Sequence, residues 1–131
     1  MAKRAVLILV IIIVVVAVIF IVNHSDILLS SPIPSLELSI QDARTRRFNL
    51  IIDVRTLKER EELGFYPNSI PIGIGQLMNE VPILTSSKNN SILIYSNGGD
   101  RLAENAAKLL YKLGYHNARY ISVSYKQLIS Q

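Results

Sequence analysis

The chain of 131 residues contains no cysteine. That absence excludes a disulfide framework, a cysteine-based zinc site and catalysis by a protein thiolate. Histidine is almost as scarce. His24 follows a long apolar run, and His116 lies near the far end of a helix–strand turn. Each reads as a solvated surface residue, and neither is placed to act as the base that a serine nucleophile needs. With no histidine beside them, Glu59, Glu61 and Glu62 read as a solvated helix face and not as a metal site, and no cofactor is expected. Excess charge is modest too. The formal net charge is +4, of which Lys3 and Arg4 supply two, leaving about +2 on the remainder. That is too little to suggest a nucleic-acid partner.

What the chain has in abundance is aliphatic sequence at its start. No polar side chain interrupts the eighteen residues from Ala5 to Val22. As a helix they reach about 27 Å, close to the ~30 Å hydrocarbon core of a bilayer. The run reads as an uncleaved transmembrane anchor. It is long for the apolar part of a signal peptide, and Asn23-His24-Ser25-Asp26 offers no small-x-small cleavage site. It lacks small-xxx-small spacing and ionisable groups, so neither helix pairing nor transport chemistry is indicated. Lys3 and Arg4 flank its start and Asp26 its end, so the positive-inside rule puts the N-terminus in the cytoplasm and the domain on the opposite side. The expected organisation is a basic N-terminus (1–4), a transmembrane helix (5–22) in the lipid bilayer, a linker (23–34) containing Ser30-Ser31-Pro32-Ile33-Pro34, and one domain (35–131). The domain is long enough to bury a core unaided.

Within that domain, Ser35 to Arg44 is weakly amphipathic and reads as a short helix. Phe48 to Ile52 is a near-continuous apolar run, as in a strand buried on both faces of a parallel sheet. It ends at Asp53-Val54-Arg55. Thr56-Leu57-Lys58-Glu59 has capping-box spacing and opens a helix through Leu63, stopped by Gly64. Pro67 to Ser69 reads as a turn, Ile70 to Ile72 as a brief strand, and Gln76 to Val81 as a turn or two of helix. Ile92 to Tyr95 is a buried strand. Ser96-Asn97-Gly98-Gly99-Asp100-Arg101 is a polar, glycine-bearing loop, and Leu102 to Leu113 an amphipathic helix with Gly114 as its cap. Arg119 to Ile121 is a last strand, and Ser124 to Ile129 a terminal helix capped by Ser124. Strands alternate with helices, so the fold class is α/β, a small parallel sheet with helices on both faces. Ligands of such sheets bind beyond the carboxyl ends of the strands, where the loops at Asp53 and Ser96 lie. A strand, a glycine loop and a helix start together aim backbone N–H groups and a positive helix end at one spot, suited to an anion.

Four stretches, taken in order and spacing, resemble the rhodanese family over roughly Ser35 to Ile129. Asp53-Val54-Arg55 followed by Glu59 is similar to its first signature. Gly64-Phe65-Tyr66-Pro67-Asn68-Ser69-Ile70 is similar to Gly-His-x-Pro-Gly-Ala-x. Ile94 to Arg101 resembles the active-site loop, in which Cys-x-x-Gly-x-Arg follows a buried strand. Leu113-Gly114-Tyr115 with Asn117 resembles the approach to the last strand. The resemblance implies sulfur transfer through a loop cysteine that becomes a persulfide, yet Ser96 stands at that position. An alcohol stays protonated near neutrality and cannot form the S–S bond of the cycle. Phe65 and Asn68 replace the usual His and Gly, Gly73 a common proline, and Val123-Ser124 the paired glycines before the last helix.

The expected protein is therefore a rhodanese-like domain without sulfurtransferase activity behind a transmembrane helix. It would act as a binding or scaffolding module for a protein partner or small anion, not as an enzyme. The expected anion-binding loop is Ser96, Asn97, Gly98, Gly99, Asp100 and Arg101, supported by Asp53 and Arg55, which hold loops together by hydrogen bonds. Asp100 opposes anion binding locally. Tyr66, Tyr111, Tyr115, Tyr120 and Tyr125 read as core or rim aromatics. The alternative is an enzyme that uses the loop cradle on a phosphorylated or sulfonated substrate.

Overall fold

A computed structural model describes residues 2–29 and 32–130, with the side chains of 24–29 excepted. Ser30 and Ser31 of the expected linker, and the side chain of His24, lie outside the described residues. The chain divides into two compact units between Pro32 and Ile33. The first contains helix α1, Ala2–Leu29, in which Ala2–Asn23 is long and apolar enough to cross a membrane. The helix runs past Val22 into a stretch expected to be linker. Residues 23–29 contain neither glycine nor proline, so no breaker interrupts the helix there.

The second unit is an α/β domain on a four-stranded, wholly parallel sheet. Its strands are β1 (Leu50–Asp53), β2 (Ile70–Pro71), β3 (Ile92–Tyr95) and β4 (Ala118–Tyr120), in the order β2-β1-β3-β4. Alternation along the central strands builds two cores. Leu50, Ile52, Ile92 and Ile94 point to one face, under α4 (Leu77–Leu84) and α5 (Leu102–Lys112). Leu93, Tyr95 and the partly buried Ile51 point to the other, under α2 (Ile40–Thr45) and α6 (Lys126–Ile129). Burial on both sides explains why these strands read as apolar runs. Truncating Ile52 or Ile94, both fully buried, to Ala costs about 2–5 kcal/mol.

Local chemistry places the ends of the helices. α3 (Leu57–Leu63) starts with a complete capping box between Thr56 and Glu59. α5 ends in a Schellman motif: Gly114 at φ 101° lets its own N–H reach the Tyr111 carbonyl and that of Tyr115 the Leu110 carbonyl. Strand bounds shift by one or two residues, β1 starting at Leu50 and β4 at Ala118, and three helices differ from expectation. Helix α2 begins only at Ile40, because Leu36 to Leu38 is extended along β4. Leu38 N–H donates to the Tyr120 carbonyl at 2.8 Å, and Tyr120 N–H to that of Leu36 at 3.0 Å. α4 follows a single 3₁₀ turn at Ile74–Gln76 and continues through Pro82 to Leu84. Leu77 and Val81 anchor it in the core, and Thr85 N–H still bonds the Val81 carbonyl. α6 begins at Lys126, with Tyr125 and not Ser124 at its N-cap, although Ser124 Oγ still accepts from the Lys126 N–H at 3.3 Å.

β2 and β3 flank β1 on opposite sides, so the connections leaving β1 and β3 diverge and open a crevice beyond their carboxyl ends. Asp53 and Tyr95, the last residues of the two strands, are register partners there.

Candidate functional site

Asp53 ends β1 fully buried, where an unpaired carboxylate would cost several kcal/mol. It is saturated instead. Oδ1 accepts from the Arg55 backbone N–H at 3.0 Å and from Arg55 Nε at 2.9 Å; Oδ2 accepts from Arg55 Nη2 at 2.8 Å, Arg60 Nη1 at 3.1 Å and the Tyr95 hydroxyl at 3.0 Å. Burial pushes the carboxyl up, and the hydrogen bonds and charge of Arg55 outweigh it, holding Asp53 below the usual carboxylate range. Arg55 in turn lies 5.4 Å from the centre of the Tyr95 ring and 5.3 Å from that of Tyr125. Its guanidinium also donates to the Gly64 carbonyl at 2.7 Å. A cleft of about 310 Å³ opens on this side, lined by Arg55, Thr56, Leu57, Pro71, Gly73 and Gln76.

The loop after β3 is tied to this cluster through Asn97. Its amide donates to Glu59 Oε1 at 2.9 Å, and its Oδ1 accepts from Arg55 Nη1 at 3.4 Å. Glu59 is thus more than part of a solvated face. The Thr56 backbone and hydroxyl, then Asn97, hold its carboxyl below the ordinary value. Gly98 and Gly99 have φ of 84° and 75°, the left-handed region that favours glycine. Gly98 lies hard against Val123 and Ser124, and Gly99 N–H donates to the Ser122 carbonyl at 3.2 Å.

The head of the loop, Ser96, is buried, with 2% of its surface exposed. Its hydroxyl donates to Asp100 Oδ2 at 2.9 Å, and the other oxygen of Asp100 accepts the Leu102 N–H at 3.1 Å. A carboxylate of the loop itself therefore takes up the hydroxyl and a helix-start N–H that an anion would use. Arg101 precedes α5, exposed, with no hydrogen bond or ion pair to its guanidinium among the described residues. No cluster of metal-ligating side chains occurs among the described residues. Asp53, Arg55 and Asn97 are joined by hydrogen bonds, Ser96 is tied to Asp100, and Gly98 lies against Val123 and Ser124.

With this geometry the comparisons agree. Residues 35–131 match the family model described as a rhodanese-like domain. The chain belongs to this family. Among solved structures, the domain is similar to the human single-domain sulfurtransferase TSTD1 (20% identity, TM-score 0.56, covering 73% of this chain and 96% of that one). It is similar also to protein hp1203 of Helicobacter pylori 26695 (27%, 0.52, 70% and 86%) and to the single-domain sulfurtransferase RDL2 of Saccharomyces cerevisiae (16%, 0.55, 76% and 93%). No curated protein sequence matches.

Three members of the crevice of this rhodanese-like domain escape a reading of the sequence. Arg60, Tyr95 and Ser69 complete the shell of Asp53: Arg60 donates to Ser69 Oγ at 3.0 Å and to its carbonyl at 2.8 Å, and the Tyr95 hydroxyl lies 2.8 Å from Ser69 Oγ. One signal was present. An aspartate ending an apolar strand needs cations, and Arg55 and Arg60 are the nearest arginines that follow it. The Tyr95 contact depends on strand register, which no local pattern encodes.

Proposed function

We propose that this rhodanese-like domain is a membrane-anchored binding or scaffolding module without sulfurtransferase activity. The observation that carries the reading is the loop head. By the resemblance of Ile94 to Arg101 to the family's active-site loop, Ser96 takes the place of the persulfide cysteine, and the sequence has no cysteine to substitute for it. Two further features support it. The Ser96 hydroxyl is engaged by a carboxylate, which opposes negative charge on that oxygen. The Asp53–Arg55 pair is spent on holding the loops at Gly64 and Asn97. Helix α1 is read as the anchor, with its N-terminus in the cytoplasm and the domain on the opposite side, and protease protection in intact membranes tests that orientation. A thiosulfate:cyanide sulfurtransferase assay on the full chain tests the rest, and turnover by the unaltered protein overturns the proposal.

A second reading, hydrolysis of a phosphorylated or sulfonated substrate, draws on Arg101. The exposed guanidinium beside two left-handed glycines could meet such a group. It requires an activity in a phosphatase and sulfatase screen that Arg101→Ala abolishes.

A further inference from the structure

The end of the sheet opposite the crevice carries a charge pattern that the binding loop does not account for. Four segments lead into the four strands: residues 46–49, 66–69, 85–91 and 112–117. None contains an aspartate or glutamate. They carry Arg46, Arg47, Lys88, Lys112 and His116, all exposed. Arg119 of β4 turns back to join them, its guanidinium donating to the His116 carbonyl at 2.8 Å. Hydrogen bonds stitch three of these segments into one surface. Ser91 Oγ donates to the Arg47 carbonyl at 3.1 Å, the Asn117 amide to that of Asn89 at 2.7 Å, and Lys88 Nζ to that of Leu113 at 2.7 Å. None of the six side chains forms an ion pair among the described residues. The five Lys and Arg exceed the formal net charge of the whole chain, +4. At the crevice end, Asp53 ends β1, Asp100 lies in the loop after β3, and Glu59 and Glu104 lie in the first turns of α3 and α5.

The same end receives the chain. Leu36 to Leu38 runs parallel to β4, so the residues before it approach from where the strands begin. The apolar span ends at Asn23 and the compact unit begins at Ile33. Only nine residues, 24–32, separate them along the chain. We propose that the strand-entry face of the domain, centred on Arg46, Arg47, Lys88 and Arg119, is an electrostatic seat for anionic lipid headgroups of the membrane that α1 crosses. This rests on the reading of α1 as a membrane anchor. The tether supplies the proximity, keeping the face at a high effective concentration of headgroups. Where the leaflet facing the domain carries anionic lipid, each cation at the surface favours the seated state about five-fold, falling off within a Debye length of roughly 8 Å at physiological salt.

The test uses the full chain reconstituted in phosphatidylcholine vesicles, with or without a third of the lipid as phosphatidylglycerol, read by amide hydrogen exchange. Slower exchange at 46–49, 85–91 and 112–119, confined to the anionic vesicles and reversed by high salt, is the expected result. Arg46→Ser with Arg47→Ser should cut that protection roughly ten-fold or more, while residues 5–22 stay protected in both lipids. Protection of 5–22 without any lipid-dependent change at the face overturns the inference and leaves the anchor standing. Exchange of 5–22 in both lipids overturns the anchor reading itself. Protection of the face by a soluble polyanion such as heparin, with phosphatidylglycerol ineffective, overturns it in favour of an acidic macromolecule.

Discussion

The hydroxyl of Ser96 donates a hydrogen bond of 2.9 Å to the carboxylate of Asp100, so the loop that heads α5 holds an anion of its own. Ser96, two glycines and a helix start make the pattern expected of an anion cradle, and Asp100 places a carboxylate where such a ligand would compete with it. Both carboxylate oxygens are used, one by the hydroxyl and the other by the Leu102 N–H. An incoming anion must displace that side chain and then sit near its charge.

Replacing Asp100 by Asn removes the charge and keeps the shape. Because the side chain is exposed, the repulsion relieved is screened and amounts to about 1 kcal/mol. Sulfate should therefore bind Asp100→Asn about five- to ten-fold more tightly than the unaltered protein. NMR titration following Ser96 to Leu102 measures this. Equal affinities in the two proteins would show that the carboxylate does not guard the loop.

The same contact bears on sulfur chemistry with a cysteine at this position. A cysteine at position 96 would have its thiolate beside the Asp100 carboxylate, which raises a thiol pKa and starves the nucleophile. Ser96→Cys alone is expected to show little sulfurtransferase turnover. Combined with Asp100→Asn it should gain at least ten-fold, with a pH–rate profile displaced to lower pH. Full activity in the single variant would mean that Asp100 moves aside freely.

Much of this arrangement was legible before the structure. Apolar runs at Phe48–Ile52 and Ile92–Tyr95, the Thr56–Glu59 box and Gly98-Gly99 are local patterns whose physics acts within a few residues. They correctly place β1, β3, the start of α3 and the loop. Leu36 to Leu38 reads as helix in the sequence and is extended in the structure because its partner, Tyr120, lies far along the chain. Arg60 and Tyr95 around Asp53 were missed for the same reason, since the Asp53–Tyr95 register is a property of the assembled sheet. Asn68 shows a middle case. It occupies a position where the family resemblance expects glycine, and it adopts φ of 66°, a left-handed conformation that Asn tolerates better than most residues.

The buried Asp53 makes stability depend on acid. Arg55 holds its folded-state pKa below that of the unfolded chain. Folding then favours the ionised form, and the gain is fully present above the unfolded value near pH 4 and lost as pH falls through the lower folded value. Denaturant titrations should show stability flat through neutrality and declining below about pH 4. Asp53→Asn should lose about 3 kcal/mol at pH 7, because Arg55 is left buried without its counter-charge, and its acid decline should be shallower. A decline equally steep in the variant would assign the acid sensitivity to other carboxylates.

Gly98 and Gly99 share a left-handed φ but differ in what surrounds them, and that separates backbone strain from packing. A Cβ on Gly99 meets nothing within 4 Å, whereas on Gly98 it would lie 2.8 Å from the Ser124 nitrogen and 3.0 Å from the Val123 carbonyl carbon. Those are backbone atoms, which cannot swing away as a side chain can. Gly99→Ala should cost only the conformational penalty, about 1 kcal/mol. Gly98→Ala adds displacement of the segment before α6, for a total of roughly 3 kcal/mol. In thermal unfolding of a domain this size, each kcal/mol lowers Tm by about 4–8 °C, so the two variants should be resolved by ~10 °C. Because Ser124 precedes α6, Gly98→Ala should also speed amide exchange at Lys126 to Ile129, an effect Gly99→Ala lacks. Matching Tm values would mean that the close approach of Gly98 to Val123 and Ser124 contributes nothing to holding the loop.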